Sequence, residues 1–329
     1  MILRSLSFGG IALLLLARHA AGQSASAEGA SPPGRGHHTL YYDEARQRVV
    51  LTGGAANDAR RNVTIFNDLW SFDGTRWTAL PPSGDALWGS GVALDARKRV
   101  HAFGGVGDSA VGELRVLEND RWRKIGTHPS IVAAEPGFVF DAARGRFVTF
   151  GGSAGSGRLN GEVWEFDGVR WSRHAAPPPP ARGAHAMVYD PVRRKVVVFG
   201  GMGVRAGASP APLFGDTWEF DGSTWTLRPV AGPPARLGAG VAYDSKRALV
   251  ILFGGANHER VFDDLWSWDG TTWKKLAEGG PQPRVMGYIA YDRLRDRIVL
   301  FGGRPRAPAN VDLDDTWEWD GASWRRIGG

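Results

Sequence analysis

A short segment recurs six times along this chain, and a fixed repeat leaves few folds open. The stretch "DTWEFDGSTWTL", Asp216 to Leu227, alternates Trp218 and Phe220 along one arm, turns at Asp221-Gly222 and returns with Trp225. Close copies begin at Asn67, Gly161, Asp263 and Asp314, and an eroded one begins at Gly112. Aligned on their last tryptophans (Trp77, Trp122, Trp171, Trp225, Trp273 and Trp324), the copies extend upstream into units of about fifty residues, a period of propellers or solenoids.

Each unit reads as four strands. Strand 1 is an alternating segment such as "RGAHAMVYD", ending in an acid: Asp43, Asp95, Asp141, Asp190, Asp244 or Asp292. Three residues on stands a base (Arg46, Lys98, Arg144, Arg193, Arg247, Arg295), which together with the acid implies a tight Asx-type turn and a short charge pair. Strand 2, as in "KVVVFGG", ends at a Gly-Gly pair in all six units. Glycine there costs backbone entropy, so a close approach by a neighbouring sheet or ring is expected. Strand 3 opens with an acid nine residues before the terminal tryptophan (Asp68, Glu113, Glu162, Asp216, Asp264, Asp315), and strand 4 carries that tryptophan. Each sheet then buries an aromatic face against the next.

This order, an Arg-led strand 1, an acid turn, Gly-Gly, an acid before an aromatic strand and a final tryptophan, resembles the kelch repeat. The resemblance runs from about Gly34 to Ile327 and implies an all-β, six-bladed kelch-type β-propeller with four antiparallel strands per blade, of the galactose-oxidase-like superfamily. Unit 2 departs most: Arg115 replaces the strand-3 tryptophan, "END" replaces the Asp-Gly turn, and Leu87 stands where other units open with Arg. Blades are expected to start near Arg35, Leu87, Ala133, Arg182, Arg236 and Arg284, with closure from blade 1 packing on blade 6.

The domain reading is a signal peptide over 1–22, a flexible segment over 23–33 and the propeller over 34–329. Residues 1–22 combine Arg4, an apolar run centred on Leu13 to Leu16, and small residues at Ala20, Ala21 and Gly22. Its removal takes away Arg4 and Arg18 and no acid, lowering the formal charge from +6 to +4. The expectation is a bacterial-type exported protein, periplasmic or extracellular, without membrane insertion and monomeric. The 40 Lys and Arg residues are spread through every repeat, so the basicity reads as solvated surface with no nucleic-acid partner. The chain has no cysteine, which rules out disulfides and thiolate metal sites.

Between the Gly-Gly pair and the next acid lie 13, 7, 9, 14, 8 and 11 residues in units 1 to 6, so the strand 2–3 loops carry the variation. Binding residues tend to sit on such loops over a rigid scaffold. Candidate ligand residues there are Arg60, Arg205, Arg260 and Arg304, accompanied by Arg61, Arg158, Arg306, Asn57, Asp58, His258 and Glu259. Arg35, Arg182, Arg236 and Arg284, opening strand 1, either form an anion-attracting funnel at the channel mouth or pair with acids of their own repeat. His38 and His185 take equivalent places in units 1 and 4. Two histidines without a third ligand do not define a metal site, and no cofactor is expected.

The leading functional reading is a non-catalytic binding propeller presenting its loops to a protein or glycan, with an anionic ligand suiting the arginines. The alternative implied by the resemblance is a carbohydrate-active enzyme of the periplasmic sugar epimerase (mutarotase) type. A copper-radical oxidase is excluded because its cofactor is built on a cysteine-crosslinked tyrosine.

Overall fold

In a computed structural model, the described residues are 18–19, 31–57, 62–84, 87–107, 112–131, 134–153, 158–205, 207, 210–305 and 311–328. Most of residues 1–22, expected to be a signal peptide, and most of the segment expected to be flexible lie outside them; of residues 1–22 only the backbone of Arg18–His19 is described, paired in parallel with Val63–Ile65.

The described residues form six four-stranded sheets, each in the order 1-2-3-4. Blade 4 is representative, with strands Ala186–Asp190, Lys195–Phe199, Thr217–Phe220 and Trp225–Arg228, all antiparallel. Strand 1 of the other blades is Thr39–Asp43, Gly91–Leu94, Gly137–Asp141, Gly240–Asp244 and Tyr288–Asp292. These six strands line the axis, and that of blade 1 lies against that of blade 6, so the ring is closed as expected. Strand 2 is buried on both faces, as its unbroken Val/Ile/Leu runs require: Val196, Val197 and Val198 are all at most 2% exposed.

The seams between blades are aromatic wedges. Trp225 stacks on Phe220 of its own strand 3, with centroids 4.8 Å apart, and reaches Phe150 of blade 3 at 5.6 Å. Trp171 meets Phe103, Trp273 meets Phe199, Trp324 meets Phe253, and across the chain ends Trp77 meets Phe301. Trp77 also donates its indole N–H to Thr316 Oγ1 of blade 6 at 2.8 Å. Trp77, Trp225 and Trp273 are buried, whereas Trp122, Trp171 and Trp324 are partly exposed, so the expected burial is complete at three of the six. At the seam of blades 1 and 2, strand 2 of blade 1 ends in Thr52 where every other blade has phenylalanine, and Trp122 has a small cavity beside it.

The acid turns behave as expected and also do more. Asp190 Oδ1 accepts the Val192 and Arg193 amides, and Oδ2 takes Arg193 Nε at 2.8 Å. The Arg193 guanidinium then covers the Asp-Gly turn of blade 5. A Cβ on Gly270, whose φ is +98°, would lie 2.6 Å from Arg193 Nη1. Arg144, Arg247 and Arg295 cover Gly222, Gly321 and Gly74 in the same way, the last across the closure. The Gly-Gly pair also has its reason: a Cβ on Gly200, at φ +67°, would stand 2.7 Å from the Arg236 carbonyl of the next blade.

Trp225→Ala empties one wedge and is expected to cost on the order of 3–5 kcal/mol in denaturant unfolding. A loss below about 1 kcal/mol would show that the seam does not depend on the ring.

Candidate functional site

The four arginines that open strand 1 lie at the end of their blades where strand 2 finishes and strand 3 begins. Arg182 is fully buried. Its Nε donates to the Pro180 carbonyl, Nη1 to the Gly200 carbonyl and to Asp216 Oδ1 at 2.7 Å, and Nη2 to Asp216 Oδ2 at 3.0 Å. Its guanidinium carbon stands 4.1 Å from the Phe214 ring centre. Arg35 with Asp68, Arg236 with Asp264 and Arg284 with Asp315 repeat this clamp, and each acid also receives the indole N–H two residues on in strand 3. Burial alone would raise the Asp216 carboxyl, but the Arg182 hydrogen bonds and charge hold it below the usual carboxylate range. Of the two roles open to these arginines, they fill the one within their own repeat, tying the starts of strands 1 and 3 to the end of strand 2. Blades 2 and 3 lack the clamp. There Glu113 pairs with Arg115 and Lys124, and Glu162 with Arg173.

Inside the ring of strand 1 lies an axial cavity of about 150 Å³ to which all six blades contribute. At the starts of strand 1 the backbone takes the left-handed region: His37, Gly89, Glu135, Ala184, Gly238 and Met286 occupy one repeat position with φ between 52° and 65°. In this conformation Gly89 N donates to His37 O at 2.8 Å, Glu135 N to Gly89 O at 2.7 Å and Met286 N to Gly238 O at 2.8 Å, stitching neighbouring blades around the axis. Four of the six are not glycine, and each such residue carries a backbone cost of about 1 kcal/mol or more. His37 Nδ1 and Glu135 Oε1 form a short hydrogen bond from blade 1 to blade 3 across blade 2, with the His37 ring edge-on to Trp88. Gly89 beneath leaves the room, since a Cβ there would stand 3.0 Å from Glu135 Cγ.

His38 and His185 both line this cavity. His185 sits in the space left by Gly137 and Gly151 of blade 3, its ring edge-on to Phe150, while His38 packs against Tyr288 and Phe301 of blade 6. The ring nitrogens of both are buried; those of His185 have no partner among the described residues, while the His38 ring interacts with the Arg35 backbone. Burial, helped by the Arg182 charge, lowers His185 to about 3, and burial with the Arg35 and His37 charges lowers His38 well below 6.5. Both rings are therefore neutral at pH 7. No group of three or more His, Cys, Asp or Glu among the described residues is placed to hold a metal ion.

The loop candidates are dispersed. Arg260 is exposed and lies over Phe262 at 4.5 Å. Arg304 pairs with Asp312 at 2.9 Å, and Asp312 Oδ2 accepts the Asn57 amide of blade 1 at 3.0 Å, bridging the loops of blades 6 and 1. His258 Nε2 lies 2.9 Å from the Ala211 carbonyl, joining the loops of blades 5 and 4. Arg158, Arg205 and Glu259 are exposed, whereas Asp58, Arg60, Arg61 and Arg306 lie outside the described residues. Sequence reading passed over His37 and Glu135. The signal was there, because both occupy a repeat position that reads Gly in units 2 and 5.

Two measurements check this account. Arg182→Ala with Arg284→Ala strands two part-buried carboxylates and is expected to lower stability by several kcal/mol, less per pair than the about 3–5 kcal/mol of a fully buried one. An unchanged melt would return these arginines to the ligand role. For pH, His185, lowered to about 3, and His128, lowered to about 4 chiefly by burial, take up protons in the unfolded chain first. Their contribution is complete above about 6.5 and is lost as pH falls through the window below it, at up to ~1.4 kcal/mol per pH unit per ring. Melts between pH 6.5 and 4.5 should show this slope, and His185→Phe should reduce it while leaving the share of His128 and His38. A wild-type Tm independent of pH in that range is the contrary result.

Residues 163–327, half of the chain, match the KLHDC2/KLHL20/DRC7 Kelch-repeats domain. No curated protein matches the chain. With the four-stranded blades, the Gly-Gly pairs and the arginine clamps repeating in phase, the chain belongs to the kelch-repeat family.

Proposed function

We propose that this chain is an exported, non-catalytic binding propeller that presents its strand 2–3 loop face to a partner protein. A kelch propeller is typically a protein-interaction scaffold. The observation that carries the reading here is that loops of unequal length are braced to one another, blade 6 to blade 1 through Asp312 and Asn57, and blade 5 to blade 4 through His258 and Ala211. Loops fixed in this way present one preorganised surface, which lowers the ordering cost of binding. The opposite rim repeats one turn and spends its arginines on its own acids and on the next blade.

A second reading, the sugar mutarotase, is favoured by one feature. His37 and Glu135 are hydrogen-bonded to each other, and Glu135 lines the axial cavity, whereas the four strand-1 arginines are committed elsewhere. Export rests on the leader segment "MILRSLSFGGIALLLLARHAAG".

The test exploits the blade-4 loop, where Gly203 N donates to Pro212 O at 2.8 Å and so closes a hairpin base. An Asn-Gly turn in place of residues 204–211 should leave the melt unchanged and abolish capture of the partner protein, while Lys246→Ala and Arg293→Ala on the opposite rim retain it. Retention by the loop variant, or equal loss by the rim variants, would refute the loop-face assignment. Binding on a glycan array in place of a protein would move the partner class. Turnover in a sugar-anomerisation assay that disappears in Glu135→Gln would establish the enzyme. Mass spectrometry of the exported protein should find its N-terminus near residue 23.

A further inference from the structure

Along the sequence the bases are dispersed, but the fold gathers them at one end of the ring. The six turns that join strands 1 and 2 (43–48, 95–99, 141–146, 190–195, 244–248 and 292–297) surround the axis at the end opposite the variable loops. They hold 15 Lys or Arg and 8 Asp or Glu, a net +7, against +6 for the whole chain. The strand 3–4 turns outside them (73–76, 118–121, 167–170, 221–224, 269–272 and 320–323) hold 3 bases and 7 acids.

Burial decides which of these charges faces outward. The six acids at the ends of strand 1 are all buried. In the outer turns Asp73, Asp167, Asp221, Asp269 and Asp320 each direct one oxygen back onto two amides of their own turn. The bases point out. Lys246 is 63% exposed beside Asp296 at 21%, and Lys98 and Arg293 are exposed on either side of the half-buried Glu44. Arg97 and Arg194 are exposed and pair with no acid among the described residues. Over both sets of turns ten bases are exposed against four acids, so this face is positive where it meets solvent. Exposed ion pairs hold little energy, which leaves their cations open to a second anion.

Three aliphatic side chains stand out from the same end: Val169 at 89%, Val192 at 67% and Leu294 at 61% exposure. Val192 and Leu294 occupy one repeat position, two residues after the turn acid, and each has an arginine next to it on the chain. A dissolved polyanion would satisfy the bases and leave these tips in water. An anionic bilayer surface matches both, its headgroups taking the bases and its acyl boundary the aliphatic tips. Turns repeated in register on six blades also bring the tips to one end of the ring, which suits a flat partner.

We propose that the rim of strand 1–2 turns docks on the surface of an anionic phospholipid membrane, with Arg97, Arg194, Lys246 and Arg293 against the headgroups and Val192 and Leu294 at the acyl boundary. The contact is peripheral and turns the loop face away from the membrane, so it does not depend on the partner-protein reading.

The experiment uses the full chain with vesicles of phosphatidylcholine alone or mixed with phosphatidylglycerol, read by co-sedimentation over a salt series. Saturable binding to the phosphatidylglycerol vesicles is expected, weakening steeply as salt screens the bases. Neutral vesicles measure what the apolar leader contributes, which rim variants leave unchanged. Arg97→Glu with Arg194→Glu should weaken binding at least tenfold, since each base at an anionic surface is worth roughly fivefold. Val192→Ser with Leu294→Ser should weaken it several-fold, and neither pair should change the Tm. Replacing loop residues 204–211 should leave vesicle binding intact. Equal binding to neutral vesicles, undiminished binding by the charge-reversed chain, or loss on loop replacement would each overturn the proposal. Tighter binding of heparin or duplex DNA than of the vesicles would overturn the lipid class. If the charge-reversed chain fails to fold, Arg97→Gln with Arg194→Gln and the wild-type salt series decide the matter.

Discussion

Everything in this molecule depends on the blade-to-blade seam. A four-stranded sheet has two faces, and strand 2 of each blade is so apolar that neither face tolerates water. Stacking in a line would leave two faces bare at the ends, whereas a ring leaves none. Among the described residues, the six blade sheets run from strand 1 of blade 1 to strand 4 of blade 6 and share no strand across the join. Closure rests on main-chain bonds at the start of blade 1, Gly303 N to Arg35 O at 2.8 Å and Arg35 N to Leu313 O at 3.2 Å, and on side chains: Trp77 against Phe301 and Thr316, Arg295 over Gly74, and the Asp312 bridge to Asn57.

The arginines divide into two sets with different tasks. One set, buried, clamps each blade to itself through paired hydrogen bonds to an acid, the geometry in which guanidinium and carboxylate fit best. The other, half-exposed, ties each acid turn to the next blade's Asp-Gly turn and so works between blades. Blades 2 and 3 lack the first kind, and there the His37–Glu135 bond spans from blade 1 to blade 3 over Gly89. The weakest part of the repeat pattern coincides with a side-chain pair that joins blades 1 and 3.

That coincidence shapes the functional reading. A charge funnel at the channel mouth would need free guanidinium groups, and those at the strand-1 starts are committed to aspartates. Positions that break the six-fold repeat include the loops on one face, the strand-3 and turn changes of unit 2, and His38, His185, His37 and Glu135 at the strand-1 starts. Among the described residues, two features of different geometry stand apart: a loop face braced at two places, and a narrow cavity on the axis.

The sequence by itself determined the blade count, the strand order, the acid turns and the reason for the Gly-Gly pairs, because these follow from short-range periodicity and turn chemistry repeated in phase. It also posed the choice for Arg182 and its equivalents without deciding it, since Asp216 lies 34 residues away and only the folded blade brings the two within 3 Å. His37 and Glu135 stand 98 residues apart in different blades, and nothing local relates them. The missing phenylalanine at Thr52 was visible, but that it leaves Trp122 beside a cavity was not, because the two residues belong to different blades. Tertiary structure alone decided which charges are spent and which polar atoms are left over, because both depend on what closure of the ring places across each seam.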